Sequence, residues 1–151
     1  MQVKIKKLVK EAVIPRYAKP GDAGMDLTAV SMTFDDDGCA VYGTGLAFEI
    51  PKGYVGLVFP RSSNAKKDML LSNSVGVIDS GYRGEVMLKF KPSMLFFNEQ
   101  PTRAYSAHHW WEIGDRIGQI IIIPYPQIEF VEADELSETE RGTGGYGHTV
   151  K

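Results

Sequence analysis

Short β-type runs of apolar residues set between polar turns recur along the chain, and few windows carry the longer period of an amphipathic helix. Val3 and Ile5 alternate with lysines as an N-terminal strand would, and β-type runs recur at residues 40–42, 45–50, 54–59, 76–78, 85–90 and 117–123. Turn-forming residues separate these runs: Gly21-Asp22, Asp35-Asp36-Asp37-Gly38, Pro51-Lys52-Gly53, and Pro124 with Pro126. Many short strands with little helix predict an all-β barrel or sandwich. The one expected helix covers residues 63–71, with Ser62 or Ser63 as its cap. Runs 76–78 and 85–90 flank a Gly-containing turn and predict a hairpin. Residues 132–151 are polar, Gly-rich and short of apolar anchors, which predicts an arm that is mobile when nothing is bound.

Composition narrows the picture further. At 151 residues the chain is long enough for one domain with a real core and too short for two ordinary ones. A formal charge of -2, with both signs interspersed, supplies no global field for a nucleic-acid backbone or an anionic membrane. A polyanionic ligand therefore needs a local basic site. The lone Cys39 cannot form an internal disulfide, the N-terminal MQVKIKKLVK lacks the apolar core of a signal peptide, and the longest apolar run, 120–126, is too short to span a bilayer. An intracellular, soluble protein is the expectation.

Chemistry concentrates in a few places. Gly76-Val77-Ile78-Asp79-Ser80-Gly81-Tyr82-Arg83-Gly84-Glu85 sets a carboxylate where a strand enters a turn, with a ring and a guanidinium close behind. Asp79 reads either as a solvated turn residue or as a fixed general base that orients and deprotonates water. Pro60-Arg61-Ser62-Ser63 carries a guanidinium and two hydroxyls suited to phosphate, or a plain helix cap with a solvated arginine. No GxSxG elbow surrounds either serine, so a serine nucleophile is a poor reading. The tail Arg141-Gly142-Thr143-Gly144-Gly145-Tyr146-Gly147-His148-Thr149 looks like a phosphate loop but lacks the lysine and the strand–loop–helix setting of one.

Taken in order, Asp22-Ala23-Gly24-Met25-Asp26-Leu27, Pro60-Arg61-Ser62-Ser63, the 76–85 segment, Gly114-Asp115-Arg116-Ile117-Gly118-Gln119 and the tail together resemble the ordered motifs of the trimeric deoxyuridine triphosphate nucleotidohydrolases, the dUTPases. The resemblance runs from about residue 14 to the end. It implies a β-barrel of jelly-roll type with one short helix and a flexible C-terminal arm, assembled as a homotrimer whose sites are shared between subunits. The implied reaction is dUTP plus water to dUMP plus pyrophosphate with Mg²⁺, which limits uracil incorporation into DNA and supplies dUMP for dTMP synthesis.

Residue by residue, the resemblance makes Asp79 the base that activates water for attack at the α-phosphate. It puts the Tyr82 ring under the deoxyribose and matches Asn73, Val77, Ile78 and Met87 to uracil-pocket positions. Arg61, Ser62, Ser63, Gln119 and Arg141 contact phosphates; Gly144 and Gly145 let backbone approach the anion, and Tyr146 stacks over the base. Asp26 assists a magnesium ion indirectly, through water, the ion being held mainly by substrate phosphates. Asp115 and Arg116 are expected to tie the turn or the trimer together rather than to touch substrate. The implied surroundings are cytoplasmic, or the host cytoplasm for a viral protein, with no direct nucleic-acid or membrane partner.

The chain departs from the family pattern at Tyr146, where Phe is usual, and at His148, where Ser is usual. Residues 92–112 form a connector longer than the family's, dense in aromatics including Trp110 and Trp111, read as packing or as a partner-docking insert. Adjacent His108 and His109 point to opposite faces of an extended chain and make a poor zinc pair. Two rival functions stay open. A dCTP deaminase-related enzyme would need a glutamate at cytosine C4, for which Glu85 is the candidate; a non-catalytic β module would bind a protein partner through the connector.

Overall fold

The strands sort into sheets by which residues must leave water. The computed structural model describes residues 1–67, 69–92 and 110–145. In chain order its strands are β1 (Lys4–Lys7), β2 (Met25–Thr28), β3 (Ser31–Phe34), β4 (Ala40–Gly43), β5 (Leu46–Glu49), β6 (Tyr54–Phe59), β7 (Met69–Leu71), β8 (Gly76–Ile78), β9 (Met87–Pro92) and β10 (Arg116–Pro124), with a 3₁₀ helix at Ser62–Lys66. One sheet has the order β2-β10-β6-β8, a second β3-β4-β9-β7, and β1 pairs with β5 apart from both. Every pairing is antiparallel. This all-β, jelly-roll-type architecture is the expected fold class.

Leu27, Val58, Ile117 and Ile120 from the first sheet meet Tyr42, Met69, Leu88 and Phe90 from the second in one buried core. Each fully buried large side chain contributes roughly 1.5–3 kcal/mol relative to exposure. Gly118 sits where the sheets come close: a Cβ there would strike the Leu88 side chain and lie 3.1 Å from Phe59 O. Just before it, the β10–β2 register shifts between Arg116 and Gly118, the mark of a bulge.

Trp111 re-enters this core after the connector. It is buried, its ring lies 4.4 Å from that of Phe90 and 5.8 Å from that of Tyr42, and its backbone N–H donates to the Tyr42 hydroxyl, which donates back to Trp111 O. Burial pushes the Tyr42 phenol above its ordinary pKa. Trp110 meets Phe34 edge-on at 5.1 Å. These two tryptophans pack, as the density of aromatics suggested; the remaining connector aromatics, with His108 and His109, lie outside the described residues.

Three local expectations are corrected. Runs 76–78 and 85–90 form no hairpin: β8 pairs with β6 in one sheet, while β9 pairs with β4 and β7 in the other. Joining opposite sheets lets Ile78 pack on the core from one side and Val86, Leu88 and Phe90 from the other without mutual pairing. The helix expected over 63–71 is only a five-residue 3₁₀ turn followed by β7, because Met69 and Leu71 are buried alternately against the core as a strand requires. Neither serine caps it; Arg61 occupies the cap position with no side-chain bond to the helix backbone. Strands β2 and β3 carry too few apolar residues to announce themselves, and β7, though wholly apolar, is only three residues long.

Candidate active site

Strand β10 lies between β2 and β6, and its register puts Gln119 opposite both Asp26 and Phe59. One row across three strands therefore delivers Asp26, Gln119 and the Pro60-Arg61 exit of β6 to the same place. The Gln119 amide donates to Pro60 O at 3.0 Å, and its Oε1 fills the space where a Cβ on Gly24 would lie. Only glycine at that position lets the glutamine lie across the row.

Asp26 is the hub. Its Oδ1 accepts from Arg61 Nε at 2.6 Å, and its Oδ2 accepts from Arg61 Nη2 at 3.3 Å and from Arg116 Nη1 at 3.0 Å. Arg61 Nη1 in turn donates to Ser63 Oγ at 3.0 Å. Asp26 and Arg61 are mostly sheltered, at 27% and 23% side-chain exposure, while Arg116 is 58% exposed. Two guanidiniums against one carboxylate leave this corner a net positive charge with an exposed serine pair beside it, which suits an anion. Sequence reasoning missed Arg116 as a partner of Asp26; the Asp26–Gln119 register, had it been legible, would have exposed it. Asp115 binds no such partner: its Oδ2 accepts from Glu112 N and its carbonyl from Ala29 N, so it ties the turn, as expected.

Asp79 opens the crossover from β8 to β9 and is exposed. Its carbonyl accepts from Tyr82 N at 3.1 Å, closing a turn, and Arg83 Nη1 spans Ser80 O and Tyr82 O at 2.7 and 2.8 Å. The Tyr82 hydroxyl donates to Glu85 O at 3.0 Å. Val77 in β8, Tyr82 in the crossover and Met87 at the start of β9 are exposed at 60%, 43% and 54%, uncovered apolar surface flanking Asp79 in the chain. Asn73 is also exposed, next to Ser74, which holds the left-handed conformation at φ 60°. Ile78 packs its side chain on the core, so it can offer a ligand only backbone.

The two halves are not adjacent within one chain. The β6–β8 register pairs Gly56 with Ile78 and Val58 with Gly76, which sets Asp79, the next residue, level with Val55. Asp79 thus stands six positions from Arg61 along an extended backbone, roughly 20 Å. The structure joins Asp26, Arg61, Ser63 and Gln119, and sets Asp79 and Tyr82 at the far end of the ladder.

Beyond β10 the chain leaves the barrel. Ile128, Phe130, Val131 and Leu136 are 70%, 93%, 82% and 90% exposed, so the stretch leading into the arm carries more uncovered apolar surface than its polar tail suggested. Among the described residues of the arm, Arg141 Nε donates to Gly144 O at 3.0 Å within the motif, and Gly142 N donates to Thr139 O at 3.0 Å just upstream of it. Gly145 is exposed; Tyr146 and His148 lie outside the described residues. Also among the described residues, no group of three or more His, Cys, Asp or Glu side chains forms a metal cluster.

Comparison with known proteins gives a consistent result. The dUTPase family model matches residues 10–150. A Nautilia profundicola protein described as deoxyuridine 5'-triphosphate nucleotidohydrolase is 41% identical, covering 100% of each chain. A Cutibacterium acnes protein of the same description is 40% identical over 93% of this chain and 87% of its own. Among solved structures, a dUTPase of Staphylococcus bacteriophage 80alpha with dUpNHpp superposes with a TM-score of 0.80 at 26% identity, covering 98% of each chain.

Proposed function

Since the chain belongs to the dUTPase family, it hydrolyses dUTP to dUMP and pyrophosphate, and we propose how its residues divide that work. Asp79 takes a proton from a water that attacks the α-phosphate, and the electron pair of the broken anhydride leaves with pyrophosphate. An exposed carboxylate at the mouth of a turn closed through its own backbone carbonyl suits this task, because it meets solvent. Arg61, Ser62, Ser63 and Gln119 orient the phosphates at the positive corner around Asp26, and Arg141 reaches the terminal phosphate from the arm. Tyr82 lies under the deoxyribose. Asn73, Val77 and Met87 with the Ile78 backbone border the uracil, and Gly145 and Tyr146 close over it.

The observation that carries this reading is the separation of Asp79 from Arg61 along the β6–β8 ladder. A single nucleotide held by both is best served by one chain's crossover, another chain's Arg61 corner and an arm, which favours a homotrimer with shared sites. The exposed apolar residues of 125–136 favour the same arrangement, since they gain from cover by a neighbouring copy. Residues 1–151 act on this view as one unit, with 132–151 as its closing arm.

The donor set suits Mg²⁺ only in company with the substrate. Asp26 is a hard carboxylate, yet both its oxygens already accept from guanidiniums, so a hydrated ion would be held by triphosphate oxygens and waters, with Asp26 reaching it through water. When bound, the ion neutralises phosphate charge. The deaminase alternative is not favoured: Glu85 Oε1 accepts from Gly45 N at 2.6 Å, which turns it into the fold rather than toward a base. No helix among the described residues is long and apolar enough to cross a membrane; action in the cytoplasm, on free nucleotide, limits uracil entry into DNA and supplies dUMP for dTMP synthesis.

Asp79→Asn tests the core of the proposal. The amide can hold a water but cannot take its proton, so kcat in a pyrophosphate-release assay is expected to fall ~10²–10⁴-fold with nucleotide binding retained. Retention of more than about a tenth of kcat would assign the proton to another group.

A further inference from the structure

Glu85 is a half-buried carboxylate that the hydrolysis does not use. Besides accepting from Gly45 N, its Oε1 stands 2.5 Å from where a Cβ on Gly43 would lie, so nothing larger than glycine fits beneath it. The following residue is laced to the same loop. Val86 N donates to Leu46 O at 2.9 Å, and Val86 O accepts from Thr44 N at 3.3 Å and from the hydroxyl of fully buried Thr44 at 2.7 Å. The downstream end of the 79–86 crossover is therefore pinned to residues 43–46.

Upstream of that pin stands the Tyr82 ring. Its hydroxyl donates to the Glu85 carbonyl, and its plane covers Gly84 so closely that a Cβ there would come within 2.6 Å of Cζ. With the ring 43% exposed, little else in the chain fixes its tilt. What holds the hydroxyl is a backbone atom, and that backbone is held by the Val86 bonds and the Glu85 carboxylate together.

We infer that Glu85 is a positioning residue for sugar selectivity: by gripping the Gly45 amide it sets the tilt of Tyr82 and so the closeness with which the site rejects a 2′-hydroxyl. This rests on the reading that Tyr82 lies under the deoxyribose. A ring freed to tilt leaves room for the extra oxygen, so selectivity is lost in preference to chemistry.

The test compares kcat/KM for UTP and dUTP, at fixed Mg²⁺, in the wild type and in Glu85→Ala, Glu85→Gln, Gly84→Ala and Tyr82→Ala, each checked for assembly and melting temperature. Glu85→Ala is expected to raise the UTP/dUTP ratio about 3- to 10-fold, the equilibrium worth of one hydrogen bond, with the change residing in KM for UTP. Glu85→Gln keeps an oxygen that accepts from Gly45 N and should keep wild-type selectivity. Gly84→Ala pushes the ring directly and should relax selectivity even if Glu85→Ala fails to fold. Equal losses on both substrates, or a Glu85→Gln as relaxed as Glu85→Ala, overturn the inference. Relaxed selectivity in Tyr82→Ala alone overturns it while sparing the sugar reading; unchanged selectivity in Tyr82→Ala overturns that reading too.

Discussion

Replacing Asp26 by Asn separates two roles for that carboxylate, a strut for arginines and a water-mediated aid to magnesium. The amide keeps the shape and one acceptor but removes the charge and points N–H donors at a guanidinium. Hydrogen bonds to charged groups are worth ~1.5–3 kcal/mol, and the sheltered Arg61 contact at 2.6 Å belongs to that class. Arg116, at 58% exposure, counts only as a surface pair of about 0–1 kcal/mol. Taking the low end for Arg61 to allow for solvent, the loss is about 1.5–2.5 kcal/mol. For a chain of this size that lowers Tm by about 3–10 °C in a thermal melt. The melt must be run at one protein concentration, because assembly couples to stability. Released from its anchor, Arg61 should also raise KM for dUTP. A Tm within about 1 °C of wild type, together with a tenfold higher Mg²⁺ requirement, would refute the strut and return Asp26 to the metal.

Deleting residues from Glu140 onward should leave melting and assembly close to wild type but cut turnover at least ~100-fold, because the bonds of the described residues removed stay within the arm, the furthest reaching only Thr139, and lend the barrel little; near-normal pyrophosphate release would reduce the arm to a linker. Mixing Asp79→Asn with Arg141→Ala chains should restore activity in about a quarter of sites if random trimers share them, whereas only the average of the two parents, with subunit exchange confirmed by tags, would mean that each chain builds its own site. The Lys89 ammonium, with the Cys39 amide, holds the Asp35 carboxyl below its ordinary value of 3.8. A folded value lower than the unfolded one means that this contribution to stability is present above pH 3.8 and is lost as pH falls through the folded value. In Lys89→Met the Asp35 carboxyl, followed by NMR, should titrate closer to 3.8, and no upward movement would show that the lysine is not its partner.

Local rules made much of the protein legible from its residues alone. The apolar runs at 54–59 and 117–123, rich in β-branched and aromatic residues and bounded by Gly and Pro, announced β6 and β10. The ordered Gly, Asp, Arg and Ser segments pointed to a nucleotide enzyme, because those side chains carry their chemistry wherever they are placed. Pairing was another matter. The apolar runs around Asp79 fit a hairpin and a two-sheet crossover equally well, and only burial against opposite halves of the core chose the crossover. Strand β7 lay hidden inside an expected helix because three residues carry too little pattern to declare a period. The Asp26–Arg61–Arg116 cluster joins residues up to 90 positions apart, a proximity decided by sheet register, which no local sequence signal encodes. The roughly 20 Å between Asp79 and Arg61 is of the same kind: antiparallel pairing of β6 with β8 sends the two motifs to opposite ends of one ladder, although only 18 residues separate them in the chain.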